Sequence, residues 1–153
     1  MFLVNGLPEG ESITYKPGGE LIQKMNYKAG KLEGDLLYYE SGRVKSKIPF
    51  KNNLQEGEAI YYDSDGNEIG KENYKEGKRE GKSEWKDKSG NKLFTSNYKS
   101  GQLNGERLQY HPNGKIKMRE ILQEGKITGK PDEYNKLGIK ISALKNILGK
   151  LGI

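Results

Sequence analysis

Cysteine is absent from this 153-residue chain and histidine occurs once. The first absence excludes a disulfide framework and any thiolate metal site. The second leaves His111 without the companion that a base and nucleophile pair needs, so no catalytic residue is expected. Apolar residues are also scarce. They make up 32% of the chain against 31% charged residues, too few for the core that a domain of this length ordinarily builds. No run approaches the roughly 20 apolar residues of a membrane span, and Met1-Phe2-Leu3-Val4 is too short for the apolar stretch of a signal peptide. The expectation is a soluble, cytoplasmic protein, although a leader removed earlier would leave the same chain.

Glycine and tyrosine, by contrast, are abundant, with 21 and 10 copies, and both recur at fixed intervals. Pairs of turn residues four apart fall at Gly6/Gly10, Gly30/Gly34, Asn53/Gly57, Gly77/Gly81, Gly101/Gly105 and Gly125/Gly129. The step between copies is 24 residues, with one step of 23. An aromatic follows each second glycine, as Tyr15, Tyr38-Tyr39, Tyr61-Tyr62, Trp85, Tyr110 and Tyr134. A second turn comes next, at Gly18-Gly19, Gly42, Gly66, Gly90, Gly114 and Gly138, and a bulky residue closes the unit at Tyr27, Phe50, Tyr74, Tyr98 and Leu122. Two turns per unit leave segments of strand length, so each unit reads as a β-hairpin. The second turn carries the stronger turn signal, as in Asp65-Gly66-Asn67 and Ser89-Gly90-Asn91.

Alternation along the first strand places Ile13/Tyr15, Leu37/Tyr39, Ile60/Tyr62 and Leu108/Tyr110 on an inward face. Tyr38, Tyr61 and Trp85 then fall on the opposite face, where an aromatic stripe flanked by charge is a candidate partner-binding surface. Copy four departs from the pattern, with Glu84 and Lys86 in the apolar slots. Either a bulge shifts the register there or Trp85 simply faces the other way. Copy six has Asp132 where the others have Ile or Leu and reads as a cap.

The segments Tyr27-Lys28-Ala29-Gly30-Lys31-Leu32-Glu33-Gly34 and Tyr98-Lys99-Ser100-Gly101-Gln102-Leu103-Asn104-Gly105 resemble the MORN-repeat family, in particular its bacterial variant. The resemblance spans residues 5 to 141. It implies an all-β fold, an elongated, twisted antiparallel sheet of about six tandem hairpins, used as a scaffold or protein-binding surface. It also implies an antitoxin-like or immunity-like role, with a toxin as the partner protein, and for eukaryotic relatives a link to membranes.

Asp63-Ser64-Asp65-Gly66-Asn67-Glu68 has the alternating oxygens of a calcium loop but lacks the glycine and glutamate that such a loop needs, so a hairpin turn is the better reading. No metal or cofactor is expected. Nor is nucleic acid, because residues 1 to 125 carry 21 basic against 19 acidic groups, too balanced a field for phosphate binding. Residues 126 to 153 are different, with six lysines against Asp132 and Glu133. The chain accordingly divides into a hairpin array over 1–141 and an amphipathic helix over 142–153 with Ser142 as its N-cap. That helix is expected to cap the open end of the sheet. Its alternative use is contact with a membrane surface or a partner through Leu144, Lys145, Ile147, Leu148, Lys150 and Leu151.

Overall fold

A computed structural model of the protein describes residues 1–151, with Leu151 described in its backbone only. The chain forms two compact units, one over Met1–Glu80 and the other from Gly81 onward. The first holds β1 Phe2–Val4, β2 Leu7–Tyr15, β3 Leu21–Lys28, β4 Lys31–Leu32, β5 Gly34–Glu40, β6 Arg43–Lys51, β7 Leu54–Gln55, β8 Gly57–Tyr62, β9 Glu68–Lys75 and β10 Lys78–Arg79. The second holds β11 Gly81–Lys86, β12 Lys92–Lys99, β13 Gln102–Leu103, β14 Gly105–Tyr110, β15 Ile116–Gln123, β16 Lys126–Ile127, β17 Asp132–Glu133 and the helix α1 Ile141–Leu151. Each unit is a run of antiparallel hairpins, so the all-β tandem-hairpin class with a short C-terminal helix is what the chain adopts.

Two kinds of turn alternate. The first is a two-residue loop with both central residues left-handed, as at Ala29-Gly30 (φ 49° and 79°) and Glu124-Gly125 (φ 50° and 80°). This type I′ geometry matches the right-handed twist of the strands it joins, which is why glycine recurs at its second position. The second kind is longer. At Asp63 to Asn67 the Asp63 N–H donates to the Asn67 carbonyl at 2.9 Å, and Gly66 N–H returns to Asp63 at 3.2 Å. Asp63 Oδ1 accepts from the N–H groups of Asp65 and Asn67, and Asp87 does the same for Ser89 and Asn91. The Asp63 carboxylate is therefore occupied by its own turn, and among the described residues no cluster of three metal-ligating side chains occurs. Although the second turn has the louder sequence signal, the first is the tighter one.

Successive first turns stack on one another. Gly30 N–H donates to the Pro8 carbonyl at 2.8 Å, while Ala29 N–H donates to the Glu9 carboxylate at 2.7 Å. One repeat on, Asn53 and Asn52 make the same pair of bonds to Leu32 and Glu33, and Gly77 and Glu76 make them to Gln55 and Glu56. Asn53 adds a bond of its own, because its Oδ1 accepts from Leu32 N–H at 2.7 Å. This explains why asparagine can stand where the other copies have glycine: it tolerates the left-handed conformation (φ 70°) and ties two repeats together.

A β-bulge recurs beside the first-strand aromatic in five copies. The ladder skips Ile22, Lys45, Ile69, Leu93 and Lys117, one residue in each of five copies. Copy four is thus not exceptional. Its register shift is shared by its neighbours, and ordinary alternation puts Trp85 at the repeat position of Tyr38 and Tyr61.

There is little apolar core. Among the described residues the buried apolar side chains are Leu36, Ala59 and Leu122, while Ser46, Asp63, Glu72, Ser83, Thr95, Ser96 and Glu120 are buried polar ones. Most of these residues lie on the face of Tyr38 and Tyr61 in the first unit, by the pairings Leu36↔Ile48 and Ala59↔Glu72, and on the face of Trp85 in the second, by Ser83↔Ser96 and Arg107↔Glu120. The inward face expected from sequence is the more exposed of the two, and its Ile13 is 37% exposed. The reason is chemical. That face carries long charged side chains at the cross-strand positions, including Lys47 on Asp35, Lys71 on Glu58 and Glu84 on Lys92.

At the C-terminus the Lys140 carbonyl accepts from Ala143 and Leu144 N–H groups, so α1 begins one residue before the expected cap Ser142. Residues 152 and 153 of the expected 142–153 segment lie outside the described residues.

Substitution at Asn53 separates the two roles of that residue. Asn53→Gly loses the bond to Leu32 and should cost about 1 kcal/mol. Asn53→Ala adds a left-handed β-carbon penalty and should cost about 1 kcal/mol more. Urea denaturation of the two variants beside the wild type measures the difference.

Candidate binding face

In each unit alternation builds a ring-bearing face, with Tyr38 and Tyr61 in the first and Trp85 at the same repeat position in the second. In the first unit Tyr38 and Tyr61 both stand opposite Ser46, from the strands on either side, and Tyr61 also faces Gly70. Ser46 and Gly70 are small and buried, so the rings stand over low ground. Tyr38 is 39% exposed and Tyr61 is half-buried.

Tyr61 is held in place by a carboxylate. Its hydroxyl donates to Glu72 at 3.2 Å, Tyr74 hydroxyl donates to the same oxygen at 2.8 Å, and Arg79 approaches the other oxygen at 3.5 Å. Burial, with the Tyr74 hydroxyl and the Glu72 charge, pushes the Tyr61 phenol well above its ordinary value, and burial with Glu72 raises Tyr74 as well. Glu72 thereby accepts from both hydroxyls and is paired with Arg79.

In the second unit Trp85 stands opposite Phe94 and stacks on it, with ring centroids 6.2 Å apart and planes at 27°. Beside them lies an open groove of 470 Å³ lined by Phe94, Ser96, Tyr98, Leu103, Arg107 and Gln109. Arg107 is fixed at its floor by the buried Glu120, through Nε and Nη2 at 2.5 Å. This arrangement offers rings and a neutralised guanidinium to an incoming surface, the composition of a protein-contact patch.

Of the residues singled out from the sequence, Tyr38 and Tyr61 are brought together in the first unit, and Trp85 occupies the equivalent position in the second. Phe94, Tyr98, Arg107 and the two buried glutamates were missed. Phe94 was open to prediction, since it lies four residues after Gly90 and its partner Trp85 five before it, within reach across one hairpin. Glu72 and Glu120 look like any surface glutamate in sequence. In the helix, Leu144 is half-buried, Ile147 and Leu148 are 55% and 46% exposed, and Lys145 and Lys150 are exposed. The Leu151 side chain lies outside the described residues. His111 is not free in its turn, because Nε2 bonds to the Tyr134 carbonyl at 2.9 Å and ties copy five to copy six.

Comparison with known proteins agrees with the repeat reading. A family model described as MORN repeat variant matches residues 8–29, 30–52 and 103–121. These intervals take in the hairpin of β2 and β3, that of β5 and β6, and most of that of β14 and β15. No curated protein matches the chain. Among solved structures, it is similar to a chain of the Glycosylation Associate Protein (Gap123) complex from Streptococcus agalactiae. That match has 20% identity over 78% of this chain and 18% of the other, with a TM-score of 0.36. A chain of the GtfA/B complex bound to UDP and GlcNAc matches at 15% identity over 96% of this chain and 28% of the other, with a TM-score of 0.29. The chain therefore spans less than a third of either of these solved chains.

The titrating groups predict how stability varies with pH. Hydrogen bonds from Asn67 and its neighbours hold Asp63 below the ordinary carboxylate value, and those from Asn91 and Ser89 do so for Asp87. Groups lowered in the folded state stabilise it above their unfolded value of 3.8, and that contribution disappears as pH falls through the folded value. Melting temperature should therefore be flat from neutral pH down to about 5 and then decline, and Asp87→Asn should make the decline shallower. Tyr61 and Tyr74, both raised, act at the other extreme: their neutral forms are favoured, so stability is full below 10 and falls as pH rises beyond it. A spectrophotometric titration should show a late phase, and Tyr61→Phe should diminish it.

Proposed function

This chain is a MORN-repeat protein, a scaffold of stacked hairpins, and from that premise we propose that it works without catalysis, using its ring-bearing face to bind another protein. The observation that supports this reading is the placement of Tyr38, Tyr61 and Trp85. They share one repeat position and stand partly exposed over small or ring neighbours, and in the second unit Trp85 stacks on Phe94, which lines a groove with Arg107. Rings held at fixed spacing lose little entropy on binding, which favours them as anchors. The finer reading is an antitoxin-like or immunity-like role, in which this face covers a toxin. It rests on the family resemblance, and fold alone does not assign such a role.

Affinity capture with the wild type and with Tyr61→Ala plus Trp85→Ala, each checked as folded by circular dichroism, tests the face. A specific partner whose recovery falls by about tenfold or more in the variant is expected. Undiminished capture removes the assignment. Co-expression then tests the finer role: the partner should arrest growth alone, and the wild type, unlike the variant, should relieve the arrest.

A second reading is favoured by the helix. Ile147 and Leu148 are exposed on α1 beside Lys145 and Lys150, the chemistry of a segment that lies on an anionic membrane surface. Co-sedimentation with vesicles containing phosphatidylserine should then be lost on deletion of residues 142–153. Failure of the intact chain to sediment removes this reading.

A further inference from the structure

The joint between copies five and six lacks one of the two bonds that its counterparts in the first unit have. In the turns Ala29-Gly30, Asn52-Asn53 and Glu76-Gly77 the second N–H donates to a backbone carbonyl of the preceding repeat, that of Pro8, Leu32 and Gln55 in turn. The first N–H donates to the carboxylate of the residue after that carbonyl, Glu9, Glu33 and Glu56, at 2.7 to 2.9 Å. The turn Glu124-Gly125 has the same left-handed backbone, with φ of 50° and 80°, and the same carbonyl bond, from Gly125 N–H to Leu103 at 2.8 Å. The residue after Leu103 is Asn104, however, and its shorter, neutral side chain makes no bond to Glu124 N–H. Among the described residues nothing else accepts from that N–H.

At this point the surface opens into a hollow of about 340 Å³, lined by Lys99, Ser100, Gln102, Asn104, Gln123 and Glu124. Donors dominate it. Lys99 makes no ion pair among the described residues, and the side-chain amides of Gln102, Asn104 and Gln123 make no hydrogen bond among them. Glu124 is the one acid of the six and is exposed to water. An ammonium, three amides and a backbone N–H fixed by its turn thus surround the place that a carboxylate fills in three other copies.

We propose that this hollow is a receptor for a carboxylate group brought from outside the chain, which takes the place that Glu9, Glu33 and Glu56 hold in their own joints. The guest accepts from Glu124 N–H and from the Asn104 amide, and Lys99 supplies the opposite charge. Hydrogen bonds to an ionised acceptor are about twice as strong as neutral ones, so affinity follows the negative charge of the guest. The carboxylate belongs to a small organic acid or to a glutamate side chain of another protein, and the chemistry at the site is the same for both. None of the six residues lines the groove beside Phe94, so the site goes beyond the ring-bearing face and does not depend on it.

The ¹⁵N-labelled full chain is titrated with glutarate and, separately, with the acetylated and amidated tripeptide Leu-Glu-Gly, at an ionic strength held constant with sodium chloride. Expected is a saturable shift of the Glu124 amide with at least one probe, while the amides of Ala29, Asn52 and Glu76, already occupied, stay where they are. The tighter probe identifies the source of the carboxylate. Lys99→Gln should weaken that binding about tenfold, because a charge-assisted contact becomes a neutral one. Asn104→Glu is the second test: by supplying the carboxylate from within the chain it should abolish the shift and raise the melting temperature by about 2 to 4 °C. The proposal is overturned if the Glu124 amide moves with neither probe or if all four turn amides move alike. It is also overturned if Lys99→Gln or Asn104→Glu binds the probe as the wild type does.

Discussion

Everything regular in this protein depends on how one turn is held by the repeat before it. A type I′ turn places two adjacent residues in a conformation that costs a residue with a β-carbon about 1 to 2 kcal/mol, and it points two N–H groups the same way. Ala29, Asn52 and Glu76 accept that strain, with φ near 50° in each. What they gain is a bond to a carboxylate of the previous repeat, while the following residue bonds to the carbonyl beside that carboxylate. In these three turns neither N–H faces solvent unpaired, and the bonds fix adjoining repeats in register. The glutamate before the second glycine of the motif is thus half of a joint whose other half lies about twenty residues on.

This joint carries weight because burial supplies so little. A sheet whose buried apolar side chains are Leu36, Ala59 and Leu122 has no interior in the usual sense. Polar residues take the interior positions, and each is answered: Glu72 by Tyr61 and Tyr74, Glu120 by Arg107, Asp63 by the N–H groups of its own turn. No buried side-chain nitrogen or oxygen lacks a partner among the described residues. Stability then comes mostly from neighbour-to-neighbour terms, as in other repeat proteins, and local opening at a weak copy need not unfold a distant one. His111 is instructive here. It stands where Asp63 and Asp87 tie up their own turns and instead reaches the Tyr134 carbonyl, so it joins copy five to a copy six that has lost its apolar residue.

The hairpins were legible because glycine placement is a direct record of backbone conformation, and a 24-residue step repeated along the chain cannot arise from composition alone. Which face would be buried was not legible. Leu37 and Ile60 recur with Tyr39 and Tyr62 two residues on, as inward residues should, but Lys47 and Lys71 stand opposite them across the ladder and hold that face open to water. Cross-strand neighbours belong to distant sequence positions, so alternation within one strand cannot report them. The bulges were hidden for the same reason. Skipping Lys45 or Ile69 leaves no mark in the sequence of the partner strand, and Glu84 and Lys86 looked anomalous only because the shift was sought in a single copy.

The bulges also decide where the rings can be used. A bulge adds one residue to a strand, raises the local twist and breaks the ladder beside it. Three of the five fall next to Tyr38, Tyr61 and Trp85, on the side facing the second turn. The rings therefore stand at a fixed break in an otherwise continuous ladder, with one small neighbour at Ser46 or Gly70 and a stacked one at Phe94. The opposite face presents ion pairs such as Lys47 with Asp35 and Lys71 with Glu58, mixed in sign and mostly solvated, which contribute little attraction to any surface brought against them. Within each unit, then, one face is charged and solvated while the other carries rings over small or stacked neighbours, and the turn joints hold that alternation without an interior.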